Sequence, residues 1–507
     1  VAVCNYYNSV MPFMFEQIDD YTELLIPEDL LSRDAILHAV SATLTAETCR
    51  DVEVIGWLYQ FYISERKEQV YRKLKKRKKV QPAEIPAVTQ LFTPHWIVRY
   101  LAENSLGRLW MLNRPDSSLK EQMDYYIEHQ EEQKDFLRIN TPEEIKVCDP
   151  ACGSGHMLVY AFDLLHAIYE REGYQVSEIP SLILKNNLFG MEIDERAAAL
   201  AAFALVMKAR EKDRRFFKNP VQPNICVLEN ISFEKEELQK YMDRVGRDLF
   251  TSELETTLNQ FQEADNFGSL IRPEVTALGY IRQTLEEKKI FSDMFLHGTH
   301  RKVLKVLEQA DYLGRKYHVV IANPPYMGSK NMNGRLKEFA RKNYKESKSD
   351  LFAMFIERNL ELADENAFVS MITMQSWMFL SSFEDLRDNI LDSSTILSMA
   401  HLGANAFDSI GGQVVSTTSF VIENSINPEY KGAYLRLVDG KCEEEKETEL
   451  IEKKDDPFLA SASDFKKIPG SPIAYWGKKY SIFENNPTLN EVSDLTVRLQ
   501  TGEKNIF

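Results

Sequence analysis

The sequence contains few cysteines and no long hydrophobic run. Its 507 residues include six cysteines, which show neither the paired spacing of a zinc site nor a small secreted disulfide framework. No stretch resembles a transmembrane span or a signal peptide. With 44% hydrophobic and 27% charged residues, the composition is that of a soluble protein of about two to four domains. We therefore expect a cytoplasmic protein and predict no metal site.

An excess of positive charge is also lacking. The net charge of -16 argues mildly against a large nucleic-acid footprint, because phosphate binding needs local lysine and arginine. Two local basic runs stand out: "RKEQVYRKLKKRKK" at 66–79 and "RLKEFARKNYKESK" at 335–348. The first also fits a solvated helix end. The second directly follows an unusual Asn-Pro-Pro-Tyr stretch and is the better candidate for a nucleic-acid contact.

A glycine-rich turn separates a short apolar strand from a long helix in "IKVCDPACGSGHMLVYAFDLL", residues 145–165. Gly153 and Gly155 would let the backbone approach a ligand closely, and Asp149 at the strand end can accept hydrogen bonds from an amino or cationic group. The spacing is neither the dinucleotide-binding pattern nor a P-loop, because no Lys-Ser/Thr pair follows the glycines. Alone, the turn does not identify the ligand.

The next two predicted strands also end in polar residues. Glu192 ends the strand in "NNLFGMEID", and Glu229 and Asn230 follow the strand in "PNICVLENIS". In nucleotide-binding α/β folds, a carboxylate at the end of the second strand commonly holds ribose hydroxyls. Each residue alone also fits a capping or surface role, but their order along the chain predicts one crevice at the carboxyl ends of the strands.

A fourth predicted strand end is interrupted by prolines in "IANPPYMGSK", residues 321–330. The apolar residues 319–322 indicate the end of a buried strand. Ordinary turn chemistry explains an Asn-Pro-Pro sequence equally well when it is taken alone. The rest of the chain has to decide between a turn and a functional loop.

In combination, "DPACGSGHML", "GMEID" and "NPPY" resemble, in that order, the cofactor and catalytic motifs of adenine-specific, amino-methylating DNA methyltransferases. The resemblance covers roughly residues 90 to 507. It implies an α/β fold: a Rossmann-like class I S-adenosylmethionine-dependent methyltransferase domain with a helical N-terminal domain and the start of a C-terminal target-recognition domain. The implied cofactor is S-adenosyl-L-methionine.

The resemblance also implies site residues. The catalytic residues would be Asn323, Pro324, Pro325 and Tyr326. The cofactor-binding residues would be Thr93, Pro94, Asp149, Ala151, Cys152, Gly153, Ser154, Gly155, Glu192, Glu229 and Asn230. Among the latter, Asp149 and the turn would lie near the methionine moiety, Glu192 would hold the ribose, and Glu229 or Asn230 would lie near the cofactor adenine.

The predicted chemistry explains the prolines. The exocyclic amine of adenine is a poor nucleophile because its lone pair is delocalised into the ring. The Asn323 side-chain oxygen and the Pro324 carbonyl would accept hydrogen bonds from this amine, with proline fixing the backbone angle. Tyr326 would stack on a base swung out of the double helix.

A finer resemblance is to the PglX family of BREX phage-defence methyltransferases, through "LFTPHWIVRYLAENSLGRLW", the helical N-terminal block and "DFKKIPGSPIAYW". That family shares its core with type IIG restriction-modification enzymes, whose N-terminal nuclease uses Asp and Glu-x-Lys carboxylates. No convincing constellation of this kind precedes residue 90. The resemblance implies site-specific methylation of adenine N6 in double-stranded DNA by base flipping, in phage defence, with other defence-system proteins as partners.

Three alternatives remain open. The chain could be the methyltransferase moiety of a type IIG enzyme, or it could methylate a glutamine amide or an RNA amino group, since Asn-Pro-Pro-Tyr also occurs in such enzymes. It could also be a non-catalytic interaction module of a defence complex that retains the fold.

The predicted domain organisation has three parts. Residues 1–88 form a helical domain, in which "SRDAILHAVSATLT" and residues 54–77 have helical periodicity. Residues 89–430 form the methyltransferase domain, with a helical insertion at about 232–315, Thr93 as a candidate N-cap, and Phe352 and Phe420 in the core. Residues 431–507 form a linker or exposed hairpin, "KCEEEKETELIEKKDD", and a truncated start of the target-recognition domain, so we expect a fragment of a longer protein.

Overall fold

One mixed β-sheet forms the centre of the fold. The computed structural model describes residues 2–27, 29–30, 32–45, 47–49, 53–128, 135–245, 251–275, 278–287, 296–407, 415–477 and 480. The strands within these residues are β1 (Val147–Asp149), β2 (Leu188–Glu192), β3 (Asn224–Val227), β4 (Tyr317–Ala322), β5 (Ala363–Met374), β6 (Thr395–Gly403), β7 (Thr417–Glu423), β8 (Gly432–Arg436) and β9 (Phe458–Ala460). Their spatial order is β3-β2-β1-β4-β5-β7-β6-β8-β9.

Helices surround the sheet and precede it in the chain. The first six are α1 (Ala2–Val10), α2 (Ile36–Thr43), α3 (Glu53–Lys75), α4 (Ile85–Thr89), α5 (His95–Ala102) and α6 (Arg108–Asn113). Between β1 and β4 lie α7 (His156–Arg171), α8 (Ile179–Asn186), α9 (Glu195–Lys212), α10 (Lys235–Val245), α11 (Thr251–Gln260), α12 (Ala264–Phe267), α13 (Leu278–Glu287) and α14 (His297–Gly314). After β4 lie α15 (Gly334–Asn343), α16 (Leu351–Leu362), α17 (Glu384–Ser393), α18 (Glu443–Lys453) and α19 (Ala462–Lys466).

The central strands are buried on both faces. Successive side chains of a strand point to opposite faces. In β4, Val319 and Ile321 accordingly pack into one apolar cluster with helices α5, α7 and α9, whereas Val320 packs into another with α14 and α16. Burial on both faces is why this strand reads as an unbroken apolar run.

The strand order contains a switch point. Strands β1 to β5 run parallel, and β7 is inserted antiparallel between β5 and β6. From β1 the sheet extends to β2 and β3 on one side and to β4 and β5 on the other. Ligands of open α/β sheets bind outside the carboxyl ends of the strands at such a point. The predicted Rossmann-like α/β fold is confirmed.

The N-terminal helices pack on the sheet-containing part. Val10 and Met11 join the apolar cluster of α7. Tyr59 of α3 packs against Ala197 of α9, and its hydroxyl donates to Asp194 at 2.8 Å. The predicted helical character of residues 54–77 is confirmed by α3, while the domain boundary at residue 88 stays a prediction.

The described parts of the segment between β3 and β4 are mainly helical, as expected of the insertion, whose bounds stay a prediction. Phe352 and Phe420 are buried in the core, which also confirms their prediction. None of the described helices combines the length and the apolar composition needed to cross a membrane.

The prediction for residues 441–456 is wrong, because they are neither linker nor hairpin. Residues Glu443–Lys453 form α18, in which Lys446 and Leu450 are buried. The Lys446 ammonium donates to the carbonyls of Leu402 and Leu437 at 2.7 and 2.8 Å, which anchors the helix to the sheet. Strands β8 and β9 continue the sheet past residue 430. Most of the predicted start of a recognition domain, from residue 481, lies outside the described residues.

The prediction of Thr93 as an N-cap is also wrong. Helix α5 begins at His95 with Pro94 at the N-cap position, and no side chain caps it. The Thr93 hydroxyl is used elsewhere, as the acceptor of a hydrogen bond from Asn323.

Candidate active site

A cavity opens at the carboxyl ends of β1, β2 and β4. About 940 Å³ of empty space, including the open mouth, lies between its walls. The predicted site residues on its wall are Thr93, Asp149, Ala151, Cys152, Gly153, Ser154, Glu192, Asn323 and Pro325. The fold thus brings together residues as far apart as Thr93 and Asn323, 230 positions distant in sequence.

The two glycines of the turn after β1 serve different purposes. Gly153 has a φ of 53° and Gly155 a φ of 86°, in the left-handed region that favours glycine. Gly153 lines the cavity. A Cβ at Gly155 would lie 2.9 Å from the Cα of Ala201, so this glycine lets α7 pack closely on α9 and does not belong to the cavity wall.

Two carboxyl groups lie on the cavity wall, that of the buried Asp149 and that of the half-buried Glu192. Glu192 accepts backbone hydrogen bonds from Gly153, Ile193 and Asp194 at 2.8 to 3.0 Å. Asp149 accepts one from Ala151 at 3.0 Å. Burial raises the pKa of Asp149 to about 8, against the lowering effect of the Ala151 amide and with a further increase from the nearby Glu192. Burial likewise raises the pKa of Glu192, although the backbone amides oppose it.

This wall favours a cationic ligand. No lysine or arginine is among the described residues that line the cavity. An opposite charge within a few ångströms stabilises the ionised form of a carboxyl group. A ligand with a positive charge would therefore supply what the two carboxyl groups lack, whereas a polyphosphate would meet negative charge.

Asn323 follows the last residue of β4, and its amide orientation is chemically determined. Its Nδ2 donates to the Leu91 carbonyl at 3.1 Å and to the Thr93 hydroxyl at 2.9 Å. Because a carbonyl can only accept, the nitrogen must face Leu91 and the oxygen the other way. The Asn323 Oδ1 is buried and has no hydrogen-bond partner among the described residues. Such an orphaned acceptor costs about 1–3 kcal/mol.

The rest of the Asn-Pro-Pro-Tyr loop is held rigidly. The Tyr326 hydroxyl donates to the Ile372 carbonyl of β5 at 3.0 Å, and its ring meets Phe352 edge-on with centroids 6.1 Å apart. The Met327 amide donates to Asp350 at 2.9 Å. Pro325 lines the cavity, whereas Pro324 and Tyr326 are adjacent to it in the chain and are not among the described lining residues.

Three other predicted cofactor residues do not line the cavity: Pro94, Glu229 and Asn230. Glu229 forms an ion pair with Lys305 of α14. The Asn230 side-chain oxygen accepts from the Asp265 amide at 3.0 Å. Strand β3 ends at Val227, so both residues lie beyond the strand end on a segment that faces the insertion. Their placement gives no support to a contact with the cofactor adenine.

The sequence interpretation missed several residues of the wall. Gln90 lies over the glycine turn, with its amide 3.2 Å from the Cβ position of Gly153. Leu91 orients Asn323 through its carbonyl. Residues 266–270 of the helical insertion also line the cavity, and the Ser269 hydroxyl donates to the Pro150 carbonyl. No local pattern marks these residues, because each contact joins segments far apart in the chain.

The strand order, the glycine turn and the cavity at the switch point define a class I S-adenosylmethionine-dependent methyltransferase fold. Residues 186–407 match the Eco57I restriction-modification methylase family, and residues 127–230 match the DNA-methyltransferase domain of MmeI.

Two curated proteins align with nearly the whole chain. The chain is 45% identical over 504 residues to the adenine-specific methyltransferase BrxX of Escherichia coli O9:H4 (strain HS), covering 93% of this chain and 41% of that protein. It is 38% identical over 502 residues to the adenine-specific methyltransferase PglX of Lacticaseibacillus casei (strain Zhang), covering 94% of this chain and 41% of that protein. The chain is therefore a homologue of the BrxX and PglX adenine-specific methyltransferases, which confirms the resemblance inferred from the motifs.

Among solved structures, the ATP-dependent type ISP restriction-modification enzyme LlaBIII bound to DNA is 12% identical, with a TM-score of 0.47, covering 89% of this chain and 26% of that one. The chain spans 41% of the length of both curated relatives.

Proposed function

We propose that this chain transfers a methyl group from S-adenosylmethionine to the N6 amino group of an adenine flipped out of double-stranded DNA. It would act at a specific site, in bacterial phage defence, with other defence-system proteins as partners. The observation that supports this most directly is the orphaned Asn323 Oδ1. A buried acceptor without a donor, on the same cavity wall as the carboxyl groups of Asp149 and Glu192, fits an amino-group substrate beside a cationic cofactor.

The wall residues fit S-adenosylmethionine by three criteria. The left-handed turn at Gly153 presents backbone without a side chain to the cavity. The buried Asp149 carboxyl fits an ammonium group. Glu192 uses three of its roughly four acceptor sites on backbone amides and retains one for a hydroxyl. When bound, S-adenosylmethionine supplies an electrophilic methyl group on a positively charged sulfur.

Residues of the chain would activate the substrate amine by accepting its hydrogen bonds. Asn323 Oδ1 would accept one N6 hydrogen, and the Pro324 carbonyl would accept the other. Both bonds draw the amine out of conjugation and direct its lone pair toward the methyl carbon. Held at the wall with Asp149 and Glu192, the cofactor would supply the methyl group to N6, and the electron pair of its C–S bond would stay on sulfur. The methylated amine then releases one proton to solvent.

Base flipping would supply the adenine. An adenine inside the duplex cannot reach a cavity of this kind, so the enzyme must extrude it. Tyr326 would stack on the extruded base. Its hydroxyl bond to Ile372 and its edge contact with Phe352 fix the ring plane before the base arrives.

The test has two stages on the same chain. Calorimetric titration should show binding of S-adenosylmethionine, and no binding of ATP or NAD, which would meet the unpaired carboxyl groups. Incubation with mixed-sequence duplex DNA and methyl-labelled cofactor should then produce N6-methyladenine in the hydrolysed DNA. If the chain binds the cofactor but transfers the label only to a glutamine side chain or to RNA, that molecule and not DNA would be the substrate. Absence of cofactor binding to the folded chain would overturn the proposal.

A further inference from the structure

The end of the first basic run contacts the loop that leads into the second. The Val80 amide donates to the Asn331 carbonyl at 3.0 Å, and the Lys79 ammonium donates to the carbonyl of Lys330. These residues are 251 positions apart in sequence. The end of α3 with its following loop and the loop that leads into α15 therefore form neighbouring parts of one surface.

This surface, here called the cationic surface, has many positive charges, all of them exposed except that of the half-buried Lys337. Its members are Lys75, Lys76, Arg77, Lys78, Lys79, Lys330, Lys337, Arg341 and Lys342. None of them forms an ion pair with the described part of the chain. Their neighbours Lys73 and Arg335 do, with Glu84 and Glu263. Glu338 of α15 is an exposed acid within the same helix.

The cationic surface adjoins the wall of the cavity. Asn333 caps α15 and exchanges side-chain hydrogen bonds with Asn266, at 2.8 and 3.3 Å. Phe339 of α15 stacks flat on Phe267, with centroids 4.2 Å apart and an interplanar angle of 9°. Asn266 and Phe267 both line the cavity. On the α3 side, Ile85 of the wall lies only six positions after Lys79.

We infer that the cationic surface binds the sugar-phosphate backbone of double-stranded DNA beside the flipped adenine. The choice of duplex DNA as the partner rests on the proposed function. The like charges of the cationic surface repel one another. Although the chain has a net charge of -16, no carboxylate of the described residues pairs with them. Phosphates would remove this repulsion and release condensed counterions, which gives sequence-independent affinity. Contacts to phosphates flanking the target would position the adenine over the cavity.

The experiment needs no knowledge of the target sequence, because the phosphate contribution does not depend on it. Two triple variants neutralise the two halves of the surface: K75Q/K76Q/K78Q and K337Q/R341Q/K342Q. A matched control, R214Q/R215Q/K218Q, removes three exposed charges between α9 and β3, at the amino ends of the parallel strands and opposite the cavity. Binding to a fluorescent duplex of arbitrary sequence is measured by anisotropy as salt concentration varies.

Each surface variant should bind more weakly at low salt, and the slope of log affinity against log salt should fall by about 0.9 for every phosphate that the variant no longer neutralises. Together the two triple variants should lower the slope more than either alone. The control should keep the slope of the unmodified chain. Equal slopes in all variants, or a reduction in the control as large as in the surface variants, would overturn the inference, as would absence of duplex binding by the unmodified chain.

Cofactor titration separates this inference from the proposed function. Surface variants that bind S-adenosylmethionine normally are folded, so their weaker DNA binding reports on the surface itself. A reduced salt slope in a chain that methylates no DNA would support the surface and contradict the proposed reaction. Normal methylation by surface variants with unchanged salt slopes would support the proposed reaction and contradict the assignment of the surface.

Discussion

The two ends of the cavity are built differently. At the cofactor end, Asp149 and Glu192 accept hydrogen bonds mostly from backbone amides within two positions of themselves, and one from Gly153, which lies 39 positions before Glu192. At the acceptor end, Asn323 depends on Leu91 and Thr93, more than two hundred positions earlier in the chain. One end is thus a product of local geometry, and the other exists only when distant segments have packed.

This difference separates two roles. The cofactor end offers a buried carboxyl group whose ionised form a cationic ligand would stabilise, so its substitution should change affinity. The acceptor end offers one oriented oxygen, so its substitution should change rate. Three substitutions, at Asn323, Asp149 and Thr93, test this division, in order of decreasing effect on binding or rate.

Asn323→Ala should lower the rate of methyl transfer by about 10²–10³-fold, the usual cost of losing one oriented hydrogen-bonding group at a reacting centre. The affinity for S-adenosylmethionine should stay within a few-fold, because the amide has no part in the cofactor end. The measurements are single-turnover methylation and calorimetric titration. Asn389→Ala, on the exposed surface of α17, serves as the matched control. Loss of cofactor binding by the Asn323 variant would show that the residue has a structural role, and would contradict the division between the two ends of the cavity.

Asp149→Asn should weaken cofactor binding by about 10–100-fold at pH 9, because the ligand then has no charged group to accept its hydrogen bond. In the unmodified chain, the ionised carboxylate is the binding form. Since the pKa of Asp149 is raised to about 8, affinity should rise about tenfold per pH unit between pH 6 and 8 and then level off. The variant should show no such rise. A pH-independent affinity in the unmodified chain would contradict the assigned role.

The same raised pKa has a consequence for stability. Between about pH 4 and 8 the folded chain retains a proton on Asp149 that the unfolded chain releases. Stability without ligand should therefore fall as pH rises through this window. The Asp149→Asn variant should lose this part of the dependence, and thermal unfolding at several pH values provides the control that the substitution acts through charge.

Thr93→Val should lower the turnover rate by about five- to tenfold, roughly the value of one hydrogen bond. The Thr93 hydroxyl orients Asn323, and the Leu91 carbonyl would still hold the amide. The Michaelis constant for the cofactor should not change, and Thr93→Ser should restore the rate. A raised Michaelis constant with an unchanged rate would instead place Thr93 at the cofactor end, as the family resemblance implies.

The same division explains how far the site could be predicted from sequence. Asp149, Gly153 and Glu192 are recognisable because strand, turn and carboxylate are contiguous in the chain. The loop at Asn323 is recognisable because two prolines interrupt an apolar run. Leu91, Gln90 and the insertion residues were not predictable, since only packing brings them to the wall.

The fold shows the same limits. Parallel strands bounded by a helix and a turn were predicted, but strand β6 was not, although all of its residues are buried. The sequence of β6 is a short apolar run that includes serine and histidine, and the periodicity of such a run is compatible with a strand or a helix. In α18, the dense charges concealed the spacing of Lys446 and Leu450, four positions apart, that faces the sheet. A run of charged residues therefore does not by itself indicate solvent exposure, because a lysine such as Lys446 can be buried when its ammonium donates to backbone carbonyls.

The pairing of β1 with β4 also determines when the cavity can form. Val147 and Val319 lie side by side, yet the chain between them contains two strands, the insertion and most of the wall. Contacts this distant in sequence close slowly during folding, because the entropy of a long loop is lost before any pairing is gained. Until β4 arrives, β1 has an open edge that could pair with another chain. During synthesis on the ribosome, the ability to bind cofactor and the protection of this edge from aggregation should therefore be acquired in the same step.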